Sequence, residues 1–132
     1  MSYYYKTITL LMAILLFSSS CTKEADSEES IDITTDVVGV YKGEMSDFMM
    51  YHDDYTVIVS SINDSRVKII PSGSEQSTFE VDIEKVNENT IISINPTPTF
   101  TLTFIKTSGV YELTYWFTDA DGYREDYRGY KQ

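Results

Sequence analysis

The sequence predicts an all-β fold: an antiparallel up-and-down meander of about eight strands closing into a small barrel. Three observations lead there. Apolar and polar residues alternate with a period of two in the clearest runs after residue 36, which puts one set on a core face and the other in water. Turn-forming clusters separate those runs. Every connection is short, whereas parallel neighbours need a long crossover. A meander of this length avoids exposed edges by curling and closing. Eight strands give a barrel just wide enough to be filled by side chains or to hold one small ligand.

The elements follow in order. The first strand, about 37–46, opens on Val38-Gly39-Val40-Tyr41-Lys42-Gly43. The second, 55–62, lies between Asp53-Asp54 and Asn63-Asp64-Ser65. The third, 66–71, ends at Pro71-Ser72-Gly73-Ser74. In the fourth, 77–86, Phe79, Val81 and Ile83 alternate with Glu80, Asp82 and Glu84, and Asn87-Glu88-Asn89 ends it. The fifth, 90–95, runs into Asn95-Pro96-Thr97-Pro98. The sixth, 99–106, alternates Phe100, Leu102 and Phe104 with Thr101 and Thr103, up to Thr107-Ser108-Gly109. The seventh, 109–118, alternates Tyr111, Leu113, Tyr115 and Phe117 with Glu112, Thr114 and Trp116. After Asp119-Ala120-Asp121-Gly122 comes the eighth, 122–130. No segment sustains a period of 3.6, apart from a turn near Ser46–Tyr51.

The last hairpin admits a register that satisfies both of its faces. Pairing Phe117 with Tyr123 sets Tyr115 against Glu125, Leu113 against Tyr127 and Tyr111 against Gly129 on the inner face. The outer face then pairs Trp116 with Arg124, Thr114 with Asp126 and Glu112 with Arg128, so aromatics collect inside and opposite charges meet outside. Glu125 points inward, lining a polar cavity or sitting at an open rim.

The N-terminal region reads differently. The apolar run Ile8–Phe17 is too short for a membrane span, which needs about 20 residues. With Lys6 before it and Ser18-Ser19-Ser20-Cys21 after it, it resembles a bacterial lipoprotein signal peptide. Ser18 stands where such signals usually carry Leu, a departure that Bacteroidetes-type signals allow. The resemblance implies that residues 1–20 are removed and that Cys21, the only cysteine, is lipidated. An ordinary secretory signal and a buried N-terminal helix with a free thiol are the other readings. Thr22–Ser30 has no large apolar residue and four acids, so residues 21–35 are expected to be a lipidated cysteine and flexible acidic linker, and 36–132 the folded domain. Lys23-Glu24 resembles a short charged surface-export signal, with a plain solvated linker as the equal alternative.

Charge narrows the function. Ten basic residues stand against 21 acidic ones, for a net charge of −11, and removing residues 1–20 takes away only the basic Lys6. A phosphate backbone repels such a surface, so no nucleic acid is expected as a partner. Adsorption on anionic lipid is disfavoured in the same way, and an acyl anchor on Cys21 would hold the protein to the membrane of the cell envelope. With Cys21 lipidated no thiol is left for a disulfide, and packing alone must stabilise the domain.

Val38-Gly39-Val40-Tyr41-Lys42-Gly43 and Tyr127-Arg128-Gly129-Tyr130-Lys131 resemble the two ends of small lipocalin-like lipoproteins of the Bacteroidetes type. Lipocalins open on Gly-x-Trp, and Gly39-x-Tyr41 stands in that place. The resemblance covers roughly residues 37–131 and implies a lipocalin-like binding barrel in an outer-membrane lipoprotein. It also implies a basic residue of the last strand covering the first-strand aromatic: Arg128, or failing that Arg124.

Catalytic signatures are lacking. His52 is the only histidine, so no triad or histidine metal cluster can be assembled, and it reads as a solvated turn residue. Asp119-x-Asp121-Gly122 looks like the start of a calcium loop, but six residues after Gly122 stands Arg128 instead of the required Glu; a hairpin turn explains it better. Paired acids such as Asp53-Asp54 or Asp82/Glu84 read as solvated faces. No enzyme activity and no cofactor are expected.

Two function classes remain. In the first, the barrel binds a small apolar ligand, with Phe48, Met49, Met50, Tyr51, Tyr115 and Glu125 near its mouth. The segment Met45–Tyr51 follows neither strand nor helix periodicity, and its methionines suit an adaptable apolar pocket. It is a lid over a ligand or a permanent plug. In the second class, a filled barrel contacts another envelope protein through Trp116 and Arg124 on the acidic outer face. Trp116 then anchors a partner, or it merely packs on Arg124.

Overall fold

The computed structural model describes residues 31–73, 78–97 and 99–132. Cys21, the signal segment 1–20 and the linker up to Ser30 lie outside the described residues. The chain forms a short helix, α1 (Thr34–Val37), and eight strands: β1 (Gly39–Ser46), β2 (Tyr51–Asn63), β3 (Arg66–Pro71), β4 (Phe79–Asn87), β5 (Thr90–Ser93), β6 (Phe100–Thr107), β7 (Val110–Thr118) and β8 (Arg124–Lys131). Each strand pairs with the next, and β8 pairs with β1, so the antiparallel meander closes into a barrel. Both the fold class and the eight-strand count agree with the reading of the sequence.

Alternation does what a period of two requires. Val57 and Val59, Val67 and Ile69, Val81 and Ile83, Leu102 and Phe104, and Leu113 and Tyr115 all point inward and are buried. Tyr41, Met45, Tyr55, Ile91, Tyr111 and Tyr127 complete a continuous core. Among the described residues that core runs from Val37 to Tyr127, with Ile33, Phe79, Phe100 and Phe117 packed against it. The interior is filled by side chains, the first of the two options an eight-stranded barrel allows.

Three expectations need correction. First, the folded unit begins before residue 36. Ile33 packs on the core, Thr34 and Val37 are buried, and the Asp32 carboxylate accepts the Thr34 N–H at 2.9 Å and the Thr35 N–H at 3.3 Å. Composition assigned these polar residues to the linker because a single helical turn has no periodicity to detect. Second, β2 starts at Tyr51, four residues early. Met45 pairs with His52 and Gly43 with Tyr55, so Asp53 and Asp54 together oppose Glu44 in a bulge, and a bulge interrupts alternation.

Third, the last hairpin is displaced by two residues. Phe117 pairs with Glu125, Tyr115 with Tyr127, Leu113 with Gly129, Trp116 with Asp126 and Thr114 with Arg128. A slip of two keeps every side chain on its face, so the inner and outer sets stay as expected. The turn is longer because Asp119 Oδ1 accepts the N–H groups of both Asp121 and Tyr123 at 2.9 Å. The Arg128–Glu112 ion pair still forms, diagonally, at 2.8 Å.

The basic residues of β8 also differ from the lipocalin-like expectation. Arg128 and Arg124 both lie outside, the first against Tyr130 and Glu112, the second on Trp116 and Asp126. Neither covers Tyr41. Lys131 pairs with Tyr41 in register, and its ammonium donates to the Asp36 carbonyl at 2.8 Å, tying β8 to α1.

Burial pushes the hydroxyls of Tyr41, Tyr115 and Tyr127 well above the usual tyrosine range. In the unfolded chain they ionise near pH 10. Below that both states hold the protons; above it the unfolded chain loses them first, so stability falls as pH rises. The urea midpoint is expected to hold from neutrality to about pH 9.5 and then to fall steeply. A midpoint level to about pH 12 would show that these phenols ionise freely in the folded state.

Candidate functional site

The two ends of the barrel are built differently. At one end the strands are joined by tight turns at 64–65, 88–89 and 108–109, and α1 lies across it. Helix α1 is held there by Ile33 N–H to the Asp64 carbonyl at 3.1 Å, by the Tyr41 hydroxyl to the Val37 carbonyl at 2.7 Å, and by Thr34 to Ser61 at 2.9 Å. Val37 is fully buried beneath it. This end is plugged.

The other end carries the connections 47–50 and 119–123, together with residues 72–73, 94–97 and 99. It also has a gap in its wall. β5 stops at Ser93, opposite Ile83 of β4, and its last pair with β6 is Ile92 with Thr103. Beyond Ser93 no strand separates the start of β4 from the start of β6. Three phenylalanines fill the gap: Phe79 meets Phe100 edge-on at 5.4 Å and Phe117 at 6.3 Å between ring centroids. They line a pocket of about 300 Å³ with Val81, Thr99 and Thr118, and with one charged residue, Glu80.

Aromatic contact continues inward from this mouth. Phe79 meets Tyr115 at 5.4 Å, Tyr115 stacks on Tyr127 at 5.2 Å, Tyr127 meets Tyr55 at 6.0 Å, and Tyr55 meets His52 at 6.1 Å. The Tyr55 hydroxyl accepts the Gly73 N–H at 3.1 Å. Tyr115 and Tyr127 are 3% and 2% exposed, and among the described residues their hydroxyls have no hydrogen-bond partner. Buried polar groups are normally satisfied, so these two mark the interior below the mouth as unusual. Burial is the main cause that raises Tyr115 and Tyr55, and the negative charge of Glu125 raises both further.

The expected ligand-binding residues divide. Tyr115 and Glu125 face inward under the mouth, Glu125 opposite Phe117 and half-buried. Phe48, Met49 and Met50 stand at the same end but off the barrel, 80%, 77% and 58% exposed. Their turn is held by Asp47 Oδ1, which accepts the N–H groups of Met49 and Met50 at 2.7 Å, and Phe48 touches Tyr123 at 6.3 Å. The segment is therefore no plug. Tyr51 is a correction: it pairs with Ser46 on the outer face, where the nearby Glu44 carboxylate raises its hydroxyl above the usual tyrosine range.

Tyr51 instead joins Trp116 in an outer groove of about 280 Å³, with Glu44, Thr114, Asp126 and Arg128. Trp116 is only partly exposed, because the Arg124 guanidinium lies 4.6 Å over its ring. Residues Phe79, Phe100, Phe117, Tyr55 and Tyr127 were not singled out from the sequence. A signal existed: the inner-facing residue nearest the mouth on β4, β6 and β7 is Phe each time.

Among the described residues no group of three or more His, Cys, Asp or Glu side chains could hold a metal ion. No helix among them is long and apolar enough to cross a membrane, which says nothing of β-strands. Comparison with family models, curated proteins and solved structures finds no match. The functional reading therefore rests on the barrel and its mouth.

Proposed function

We propose that this chain is a cell-envelope lipoprotein, anchored through Cys21, whose lipocalin-like barrel binds a small apolar ligand at its open end without catalysing a reaction. The observation that carries the reading is the mouth itself. Phe79, Phe100 and Phe117 line an open pocket of a few hundred Å³, at the lower end of the size range of small-molecule sites. The exposed Phe48-Met49-Met50 turn stands at the same end and supplies adaptable apolar surface to close over an occupant. Because the interior is packed, the ligand sits in the mouth rather than deep in the barrel.

The filled interior also favours a second reading, an interaction module that docks on another envelope protein. In that case Phe48, Met49 and Met50 are the better contact, since Arg124 already covers Trp116.

Native mass spectrometry on residues 31–132, purified without detergent, separates the two. A small apolar adduct is expected on the unaltered protein and none on Phe100→Asp, with a melting curve confirming that the variant folds. A clean mass on both would favour the interaction module.

A further inference from the structure

β4 has a free backbone edge beside the mouth. Successive residues of a strand turn their N–H and C=O groups to opposite sides. Ile83 donates its N–H to the Ser65 carbonyl on the β3 side at 2.8 Å, and the Asp82 carbonyl accepts the Ile94 N–H on the β5 side at 2.8 Å. By the same alternation Glu80 turns its N–H and C=O toward the β5 side, where β5 has already ended. Asn95 takes the left-handed conformation, with a φ of 55°, and the chain leaves β4. Thr97 then exchanges hydrogen bonds of 3.0 and 3.2 Å with Phe100, and Ser93 Oγ accepts the Leu102 N–H at 3.2 Å. The β6 side of the gap is thus satisfied by the chain itself. Among the described residues the backbone N–H and C=O of Glu80 have no partner.

An unpaired strand edge is a template for another strand. Here the edge borders the apolar pocket: Phe79 and Val81, the neighbours of Glu80 in sequence, line it together with Phe100 and Phe117. A strand laid along Glu80 turns every second side chain toward that pocket. A free hydrocarbon would fill the pocket and leave the edge unpaired, whereas an extended peptide meets both needs. Lys68 stands opposite Glu80 on β3, and Arg66 binds Asp82 at 2.7 Å, so the charges along this edge balance and suit a neutral strand. The chain's own segment Thr22–Ser30 has no large apolar residue to offer. A second copy would bring only the same short edge, whose Phe79 and Val81 are turned into its own barrel.

We infer that the mouth binds an extended peptide segment of a partner protein, added to β4 along Glu80, with one bulky apolar side chain against Phe79, Phe100 and Phe117. This rests on the ligand-binding reading of the mouth and names the class of its ligand.

The test uses residues 21–132 with Cys21→Ser, so that no lipid or detergent competes, and follows the ¹⁵N-labelled amides by NMR. The probes are acetyl-Thr-Thr-Phe-Thr-Thr-amide and ethylbenzene, which has the same aromatic group and no backbone. The peptide is expected to bind about tenfold or more tightly than ethylbenzene and to shift the Glu80 amide proton downfield. Methylating the Phe nitrogen or that of the following Thr blocks amides on opposite edges of the peptide. One of the two analogues should lose about tenfold in affinity and the other little. Glu80→Pro removes a donor that β3 does not use, and a proline is tolerated on a free edge. It should weaken the peptide and leave ethylbenzene unchanged, with a melting curve confirming the fold. Should that variant not fold, the two methylated peptides decide alone. Ethylbenzene binding as tightly as the peptide, or equal affinity of both methylated analogues and the parent, would overturn the inference and leave the apolar-ligand reading standing. A dimer in native mass spectra that Glu80→Pro dissociates would make a second copy the occupant and overturn it too. Failure of both probes to bind would overturn the inference and the apolar-ligand reading together.

Discussion

Gly43→Ala is expected to unfold the barrel or to destabilise it by at least about 3 kcal/mol. Gly43 lies directly opposite Gly129 where β1 meets β8, the pairing that closes the sheet. A Cβ at Gly43 would collide with the Arg128 carbonyl oxygen and the Gly129 Cα, and these are backbone atoms with no rotamer to escape into. Gly43 is not among the residues with positive φ, so the need for glycine there is a matter of space and not of conformation. Gly129 is constrained in turn by Tyr127, whose Cζ would lie 2.6 Å from an added Cβ. Urea unfolding of Gly43→Ala beside Gly109→Ala measures the effect. Gly109 has open space around it and a φ of 84°, so alanine there should cost only about 1 kcal/mol. Equal midpoints for the two variants would mean that the seam is looser than this packing implies.

The second large effect concerns Tyr41. It is fully buried, touches Phe104 at 5.9 Å between ring centroids, and donates its hydroxyl to the Val37 carbonyl at 2.7 Å. It therefore joins the plug, the first strand and the far wall of the barrel. Tyr41→Ala should cost about 3–5 kcal/mol through lost contacts and the cavity left behind. Tyr41→Phe keeps the ring and leaves the carbonyl of α1 without this donor, for about 1 kcal/mol. The two midpoints together separate ring from hydroxyl. A Tyr41→Ala midpoint close to that of Tyr41→Phe would show that the aromatic ring contributes little and that the plug is held by its polar contacts.

Tyr41 also shows how far a short motif reaches. Gly39-x-Tyr41 located a buried aromatic at the start of the first strand, and the structure puts it there. The motif's expected partner, Arg128 or Arg124, is absent from that place; Lys131 stands opposite Tyr41 instead. The face of the strand is the reason: Arg124 and Arg128 alternate with the buried Tyr127 and so lie outside, while Tyr41 is inside. Register is a separate matter. From sequence, the turn after Phe117 can be counted with different lengths that differ by two, and all of them keep Leu113, Tyr115 and Tyr127 inside. Only the hydrogen bonds from Asp121 and Tyr123 to Asp119 select one.

The same limit applies to the mouth. Phe48, Met49 and Met50 were legible because an apolar run that breaks alternation is conspicuous along the chain. Phe79, Phe100 and Phe117 were not, because each looks like an ordinary core residue of its own strand. What makes them a site is that β5 ends at Ser93 and leaves a gap that all three converge on. Tyr51 was read as part of a loop because the bulge at Asp53-Asp54 interrupts alternation and hides the start of β2.

The sequence by itself determined the β class, the number of strands, their order and the inward set, since alternation and turn chemistry are local properties that a closed antiparallel meander merely adds up. Tertiary structure alone decided which end is plugged, where the wall opens, and that Glu125 stands opposite Phe117 at the open end. Those features depend on register and closure, which bring together residues from strands and loops far apart in the chain, and no local pattern records which of them will meet.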